Sequence, residues 1–174
     1  MSVIHGSLFD GIVQFHDPDN QANTAVIVID ENDDPCISET FRNCVARQKS
    51  QQDVLRFCND LGCLIIVVYA HRVLRARHIF SIIGRPDFSC VKESDGVLAL
   101  GTTPPLMGYL ERNKITSLVL MGSYTRFCVK ESLIGGWEED QYYAGLLNRK
   151  MTVLSSPALL GPYLPEAYVL KPMC

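Results

Sequence analysis

TAVIVID, Thr24 to Asp30, is the stretch from which the fold can be read. It is a short run rich in β-branched residues, and no polar alternation interrupts it. A strand with two apolar faces belongs in a parallel sheet that is covered on both sides. Outward from it, Cys63–Tyr69 (CLIIVVY) and Ser117–Met121 (SLVLM) repeat the pattern, while Phe88–Lys92 and Met151–Leu154 give shorter strands. The spacing of Phe41, Cys44, Val45, Val54, Leu55, Cys58 and Leu61 predicts a helix from about Glu39 to Leu61, with Gly62 as its stop. A further helix opens at Thr103-Pro104, since proline is accepted in a first turn, with Leu106, Met107 and Leu110 on one face. His71–Phe80 reads as a loop or short helix, and Cys128–Leu147 as mostly helical in spite of Gly135-Gly136. Strands alternating with helices imply right-handed crossovers. The expected fold class is therefore a three-layer α/β/α arrangement with a central, mostly parallel sheet, in one domain over residues 1–174.

The 174 residues are enough for one full core, and 47% hydrophobic with 20% charged is an ordinary globular balance. A net charge of -3 gives no electrostatic reason to expect a nucleic-acid partner. No apolar run reaches the roughly 18 residues that cross a bilayer, so no membrane association is expected. Met1–Asp10 has neither a basic start nor a long apolar stretch, so no secretory leader is expected. Cys174 is not placed for prenylation. The seven cysteines, Cys36, Cys44, Cys58, Cys63, Cys90, Cys128 and Cys174, form neither a CxxC pair nor a disulfide framework. A reducing, cytoplasmic setting is the natural expectation.

In open parallel sheets, functional groups gather beyond the carboxyl ends of the strands. Three residues meet that condition: Asp30 closes the first strand, Lys92 closes the short one, and Cys128 follows SLVLM and a tight Gly122-Ser123-Tyr124-Thr125 turn. A helix N-terminus and a nearby ammonium both favour a thiolate. A carboxylate alongside can take the thiol proton and later return it to a leaving group. Exposed backbone N–H groups at such a turn can hold an oxyanion. The set suffices for nucleophilic attack on an amide-like carbon. The competing reading is a thiol at a helix N-terminus with two ordinary surface charges.

The stretch GTTPPLMGYLERNKITSLVLMGSYTRFCVKES resembles the isochorismatase-like cysteine hydrolases between their Gly-Thr helix start and their nucleophile turn. The matching elements are Gly101-Thr102, Leu106, Gly122, Thr125, Cys128-Val129 and Ser132. AVIVIDENDD is similar to the family's first strand and acidic turn, and RPDFSCVK to the approach to its lysine. The resemblance implies that Cys128 attacks, Asp30 is general base and acid, and Lys92 supports both. It also implies a cis peptide bond between Ser123 and Tyr124, with the N–H groups of Tyr124 and Cys128 as the oxyanion hole. Asn32, Tyr69, His71 and Arg126 become candidate substrate contacts, and a homo-oligomer is expected.

Departures from the family pattern bear on substrate. Pro35 stands where a ring-stacking aromatic is common, and Asn32 where Gln is usual. The metal-binding branch uses Asp-x-His…His, whereas this chain has Tyr69-Ala70-His71…His78, without the carboxylate. Neither metal nor cofactor is expected. The Asp30–Lys92 span is short, which implies a reduced lid. Arg72, Arg75 and Arg77 read as a solvated charge run, with a bidentate contact from one of them or from Arg126 to a substrate carboxylate as the alternative, and Trp137 with Tyr142-Tyr143 reads as helix packing or a subunit interface. The leading reading is a cysteine-dependent hydrolase of a small amide or ureido C–N bond. An aspartate-driven vinyl-ether hydrolase and a binding protein that keeps the fold are the alternatives.

Overall fold

The computed structural model describes residues 8–17, 19, 23–35, 39–70, 76–99 and 101–161, the Arg126 side chain excepted. Five strands form one parallel sheet: β1 (Asn23–Ile29), β2 (Leu64–Ala70), β3 (Phe88–Lys92), β4 (Ile115–Gly122) and β7 (Thr152–Leu154). Their order is β3-β2-β1-β4-β7. The chain winds outward from β1 in one direction and then returns to pair β4 on its other side, with Ile29 opposite both Val68 and Gly122. That reversal makes the carboxyl ends of β1 and β4 the topological switch point, where such sheets open a crevice.

The alternation within β1 divides the core. Ala25, Ile27 and Ile29 join Leu118 and Leu120 on one face, against Leu106 and Leu110 of α4 (Leu106–Arg112) and Val129. Val26 and Val28 join Val119 and Met121 on the other face. There they meet Ile12 of α1 (Leu8–Phe15), Val54, Leu55 and Cys58 of α2 (Phe41–Asp60), and Ile79 of α3 (Arg77–Ile83). Each buried Val, Leu, Ile or Met side chain among them contributes about 1.5–3 kcal/mol by leaving water. The sheet is thus buried on both faces, as the unbroken apolar runs predict. Among the described residues, no helix is long and apolar enough to cross a membrane.

Three expectations need correction. Cys128–Leu147 is not mostly helical: a π-helical turn, Thr125–Val129, and a short α5 (Lys130–Ile134) end at Gly135, whose φ of +87° a helix cannot use. The chain then forms an antiparallel hairpin, β5 (Gly135–Glu138) and β6 (Gln141–Ala144). Trp137 and Tyr142 sit there as an exposed edge-to-face pair, not as helix packing. In α2, capped by Thr40 Oγ1 accepting from Asn43 N, Phe41 and Val45 are exposed and the buried face includes Arg47 and Gln51. The N-terminal half of that helix packs on polar groups at the end of β1 rather than on the apolar sheet. Residues 8–15, which carried no sequence expectation, form α1 and bury Ile12.

Candidate active site

Asp30 leaves β1 at φ 48°, and its N–H still donates to Val68 O at 3.0 Å. One strand over, Ser123 N donates to Ile29 O at 3.0 Å. Gly122 (φ 156°) lies directly against Ile29, where any Cβ would run into its carbonyl oxygen. The ends of β1 and β4 are therefore clamped together through their backbones. Lys92, at the end of β3 and level with Ala70 of β2, reaches across: its Nζ lies 2.8 Å from Asp30 Oδ2 and donates to Ser94 O at 2.9 Å. The two side chains are only 2% and 5% exposed. Cys128 projects from the π-helical turn to the same place, 8% exposed. Its thiol interacts with both Asp30 and Lys92. The three strand-end residues meet in one buried cluster.

The electrostatics set the resting protonation state. Burial is the largest influence on Lys92 and works against its ammonium, but the charge and hydrogen bond of Asp30, with help from Cys128, hold it above its ordinary value. Cys128 goes the other way from the thiolate that Lys92 and a helix N-terminus would favour. Burial first, then Asp30 and Asp95, outweigh Lys92 and push the thiol up to about 12. Nor is there a long helix behind it, since Thr125–Val129 and Lys130–Ile134 are five residues each. The resting cysteine is a neutral thiol beside an ion pair.

The turn itself differs from expectation. The Ser123–Tyr124 peptide bond is trans; among the described residues the cis bond is Thr103–Pro104. The chain reverses instead through Tyr124 in the left-handed region, φ 56° and ψ 49°. Brace points fix this shape: Thr125 N and Oγ1 both donate to Gly161 O, at 3.0 and 2.9 Å, and Gly161 N donates to Gly122 O at 3.1 Å. The backbone N–H groups of Tyr124 and Cys128 belong to this turn, which carries the thiol.

Sequence reasoning missed two features. The first is a buried polar network behind the site. Glu31 is paired with Arg47, accepts from Gln51 Nε2 at 2.7 Å, and accepts from Ser123 Oγ at 3.0 Å. Arg47 is also forked onto Glu39, with Nε and Nη2 each at 2.9 Å. Burial raises the Glu31 carboxyl, while Arg47, Gln51 and Ser123 oppose it. The signal was Arg47 and Gln51, four apart on a helix face otherwise read as apolar. The second is Asp95, three residues after Lys92, whose Oδ1 accepts from Cys128 Sγ at 3.6 Å.

The remaining candidates are dispersed. Asn32 is buried, and its Oδ1 accepts from Asp34 N at 3.0 Å, closing an Asx turn after Asp30. Tyr69 packs with the core on the sheet face opposite the one that Cys128 joins. His71, Arg72 and Arg75, and the Arg126 side chain, lie outside what is described. Arg77 is 87% exposed and pairs with Asp33, as a solvated charge should. His78 Nε2 lies 2.8 Å from Gln51 Oε1. Among the described residues, no group of three His, Cys, Asp or Glu side chains is placed to hold a metal.

No protein-family model matches the sequence, and no curated protein matches it either. Solved structures do match in shape. N-carbamoylsarcosine amidase from Thermoplasma acidophilum is 16% identical with a TM-score of 0.58, over 83% of this chain and 87% of that one. Pyrazinamidase/nicotinamidase from Streptococcus mutans UA159 is also 16% identical, with a TM-score of 0.59 over 79% and 87%. An isochorismatase from Pseudomonas putida KT2440 is 10% identical, with a TM-score of 0.52 over 89% and 98%. The chain has the isochorismatase-like α/β fold.

Proposed function

We propose that this protein is a cysteine-dependent hydrolase of small amide or ureido C–N bonds. The observation that carries the reading is the buried Asp30–Lys92 ion pair, 2.8 Å long, beside the Cys128 thiol at the crevice of the sheet. Similarity in fold to an amidase and a nicotinamidase supports it.

Because the resting thiol is neutral, attack and proton transfer go together. Cys128 Sγ bonds to the carbonyl carbon as its proton passes to Asp30, and Lys92 steadies the charge throughout. The carbonyl oxygen becomes an oxyanion facing the N–H groups of Tyr124 and Cys128. Asp30 then returns the proton to the leaving nitrogen as the C–N bond breaks and a thioester remains. A water deprotonated by Asp30 attacks the thioester, and the thiol is restored as the acid departs. No step needs a metal, and activity unaffected by chelation, alongside metal analysis of the purified protein, tests this.

A panel of small amides and ureides read by ammonia release tests the reaction. Cys128→Ala should abolish turnover, Asp30→Asn should fail as well, and a slow substrate should leave an acyl adduct on Cys128 by mass spectrometry. Wild-type turnover in Cys128→Ala would move the chemistry to Asp30 and the vinyl-ether reading. No turnover, with Cys128 no more reactive than Cys58, would leave a binding protein.

The proposal extends to a cytoplasmic homo-oligomer. The exposed Trp137–Tyr142 pair supports that assembly more than the apolar stretch of sequence from Pro157 to Leu170 does, for Leu159 is already buried in the chain's own core. Tyr163, Leu164, Tyr168, Val169 and Leu170 lie outside the described residues. Light scattering that gives only a 19.4 kDa species would refute it.

A further inference from the structure

We propose that Asp95 sets the substrate preference of this site, selecting small amides that carry a positive charge close to the scissile carbon. The assignment rests on the reading of Cys128 as nucleophile and adds to it a class of substrate.

Asp95 is half-buried, and its Oδ1 accepts from Cys128 Sγ at 3.6 Å. Its loop is fixed on three sides. Lys92 Nζ holds Ser94 O at 2.9 Å, Val97 N donates to Ser132 Oγ at 3.2 Å, and that same hydroxyl donates to Cys128 O. Tyr143 reaches both Glu131 Oε2, at 2.6 Å, and the Gly96 backbone. The carboxylate is therefore held at the thiol by contacts from Lys92, from Ser132 of α5 and from Tyr143 of β6.

The charge balance leaves Asp95 available. Lys92 is matched by Asp30, whereas no ion pair among the described residues involves Asp95. A thiol is a weak donor, and a carboxylate can accept from several directions, so the contact with Cys128 leaves acceptor positions on Asp95 for a ligand. When Cys128 is acylated even that S–H is gone. A cationic or N–H-rich group beside the scissile carbon would meet a half-buried carboxylate that forms no ion pair among the described residues. An amide bearing its own carboxylate would be repelled.

Charged thiol probes test this without a known substrate. Methyl, trimethylammonium-ethyl and sulfonatoethyl methanethiosulfonates each form a mixed disulfide with the cysteine thiolate, adding an alkylthio group of zero, positive or negative charge as the reagent's own S–S bond breaks and methanesulfinate leaves. Labelling of Cys128 is followed by peptide mass spectrometry at about pH 8.5, where a thiolate fraction is present, and each rate is divided by that for a small free thiol. The cation should be favoured over the anion by about tenfold or more. Asp95→Asn should bring the ratio within about threefold, Asp95→Glu should keep it, and about 0.5 M salt should shrink it. Brisk labelling with equal normalised rates in the wild type, or an unchanged ratio in Asp95→Asn, overturns the Asp95 assignment alone. Failure of all three probes to reach Cys128 overturns both this assignment and the nucleophile reading. Where Asp95→Asn does not fold, Asp95→Ser supplies a second neutral variant, and equal normalised rates in the wild type still overturn the assignment.

Discussion

Cys128 faces carboxylates from two loops, Asp30 after β1 and Asp95 after β3, with Lys92 as the opposing charge. That balance makes a reagent's view of the thiol differ from a substrate's. Alkylation by iodoacetamide needs thiolate, so its rate at Cys128 should climb about tenfold per pH unit from pH 7 to 10 without levelling. A plateau below pH 9 would show that the thiol is not held high. Asp30→Asn removes one negative charge and frees Lys92, so both changes lower the thiol pKa. This variant should alkylate faster than wild type at neutral pH while losing turnover. Slower alkylation would mean that Asp30 does not act on Cys128 through charge. The positions of Asp30, Lys92 and Cys128 were legible because each ends or follows a buried strand, and the carboxyl ends of parallel strands lie on one side of the sheet; which of those ends are neighbours was decided by the strand order β3-β2-β1-β4-β7. Asp95 was not legible, since it sits in a loop whose path is set by contacts to Ser132 and Tyr143, far along the chain.

At the scale of elements, α2 is joined to the site by charge. Arg47 is 3% exposed and lies between Glu31 at 1% and Glu39 at 5%. Such a cluster is sensitive to the loss of one partner because a buried carboxylate is then left without its cation. Arg47→Met should cost about 3–5 kcal/mol in urea unfolding. Adding Glu31→Gln should recover part of that, since the double variant carries one fewer stranded charge. A loss below about 1 kcal/mol would place Arg47 outside the network's energetics. Ser123 Oγ binds Glu31, so the same substitution should also loosen the turn that carries Cys128. Periodicity alone placed α2 within two residues at each end, but it assigned Phe41 and Val45 to the core, and they are exposed. The pattern is one of apolar residues, and it cannot register a face that is buried against polar groups.

Across the whole molecule, His78 ties α3 to α2 and to the turn after β1. Its side chain is 8% exposed, with Gln51 on one ring nitrogen and Asp33 3.6 Å from the other. Burial, with Arg47 nearby, pushes its pKa below the ordinary 6.5, against the pull of Asp33. The unfolded chain therefore binds this proton more readily than the folded one. The resulting stability is complete above about pH 6.5 and falls as the pH drops, by at most about 1.4 kcal/mol per unit for one group. Thermal unfolding between pH 7 and 5 should show the loss, and His78→Gln should flatten it. An unchanged slope in that variant would assign the acid sensitivity to other groups.

By itself the sequence determined the parallel sheet, because short β-branched apolar runs that alternate with helical segments bury both faces by right-handed crossovers. It determined the three strand-end residues for the same reason, since strand ends in such a sheet have a fixed side. Tertiary structure decided what local pattern does not encode. It ended the helix after Cys128 at Gly135, made the turn with a trans bond and a left-handed Tyr124, and put Arg47 and Gln51 inside. It also brought Asp95 to Cys128 and left the thiol neutral. Each of these depends on groups distant in the chain sharing one desolvated volume, and the strength of a charge there is set by its neighbours rather than by its residue type.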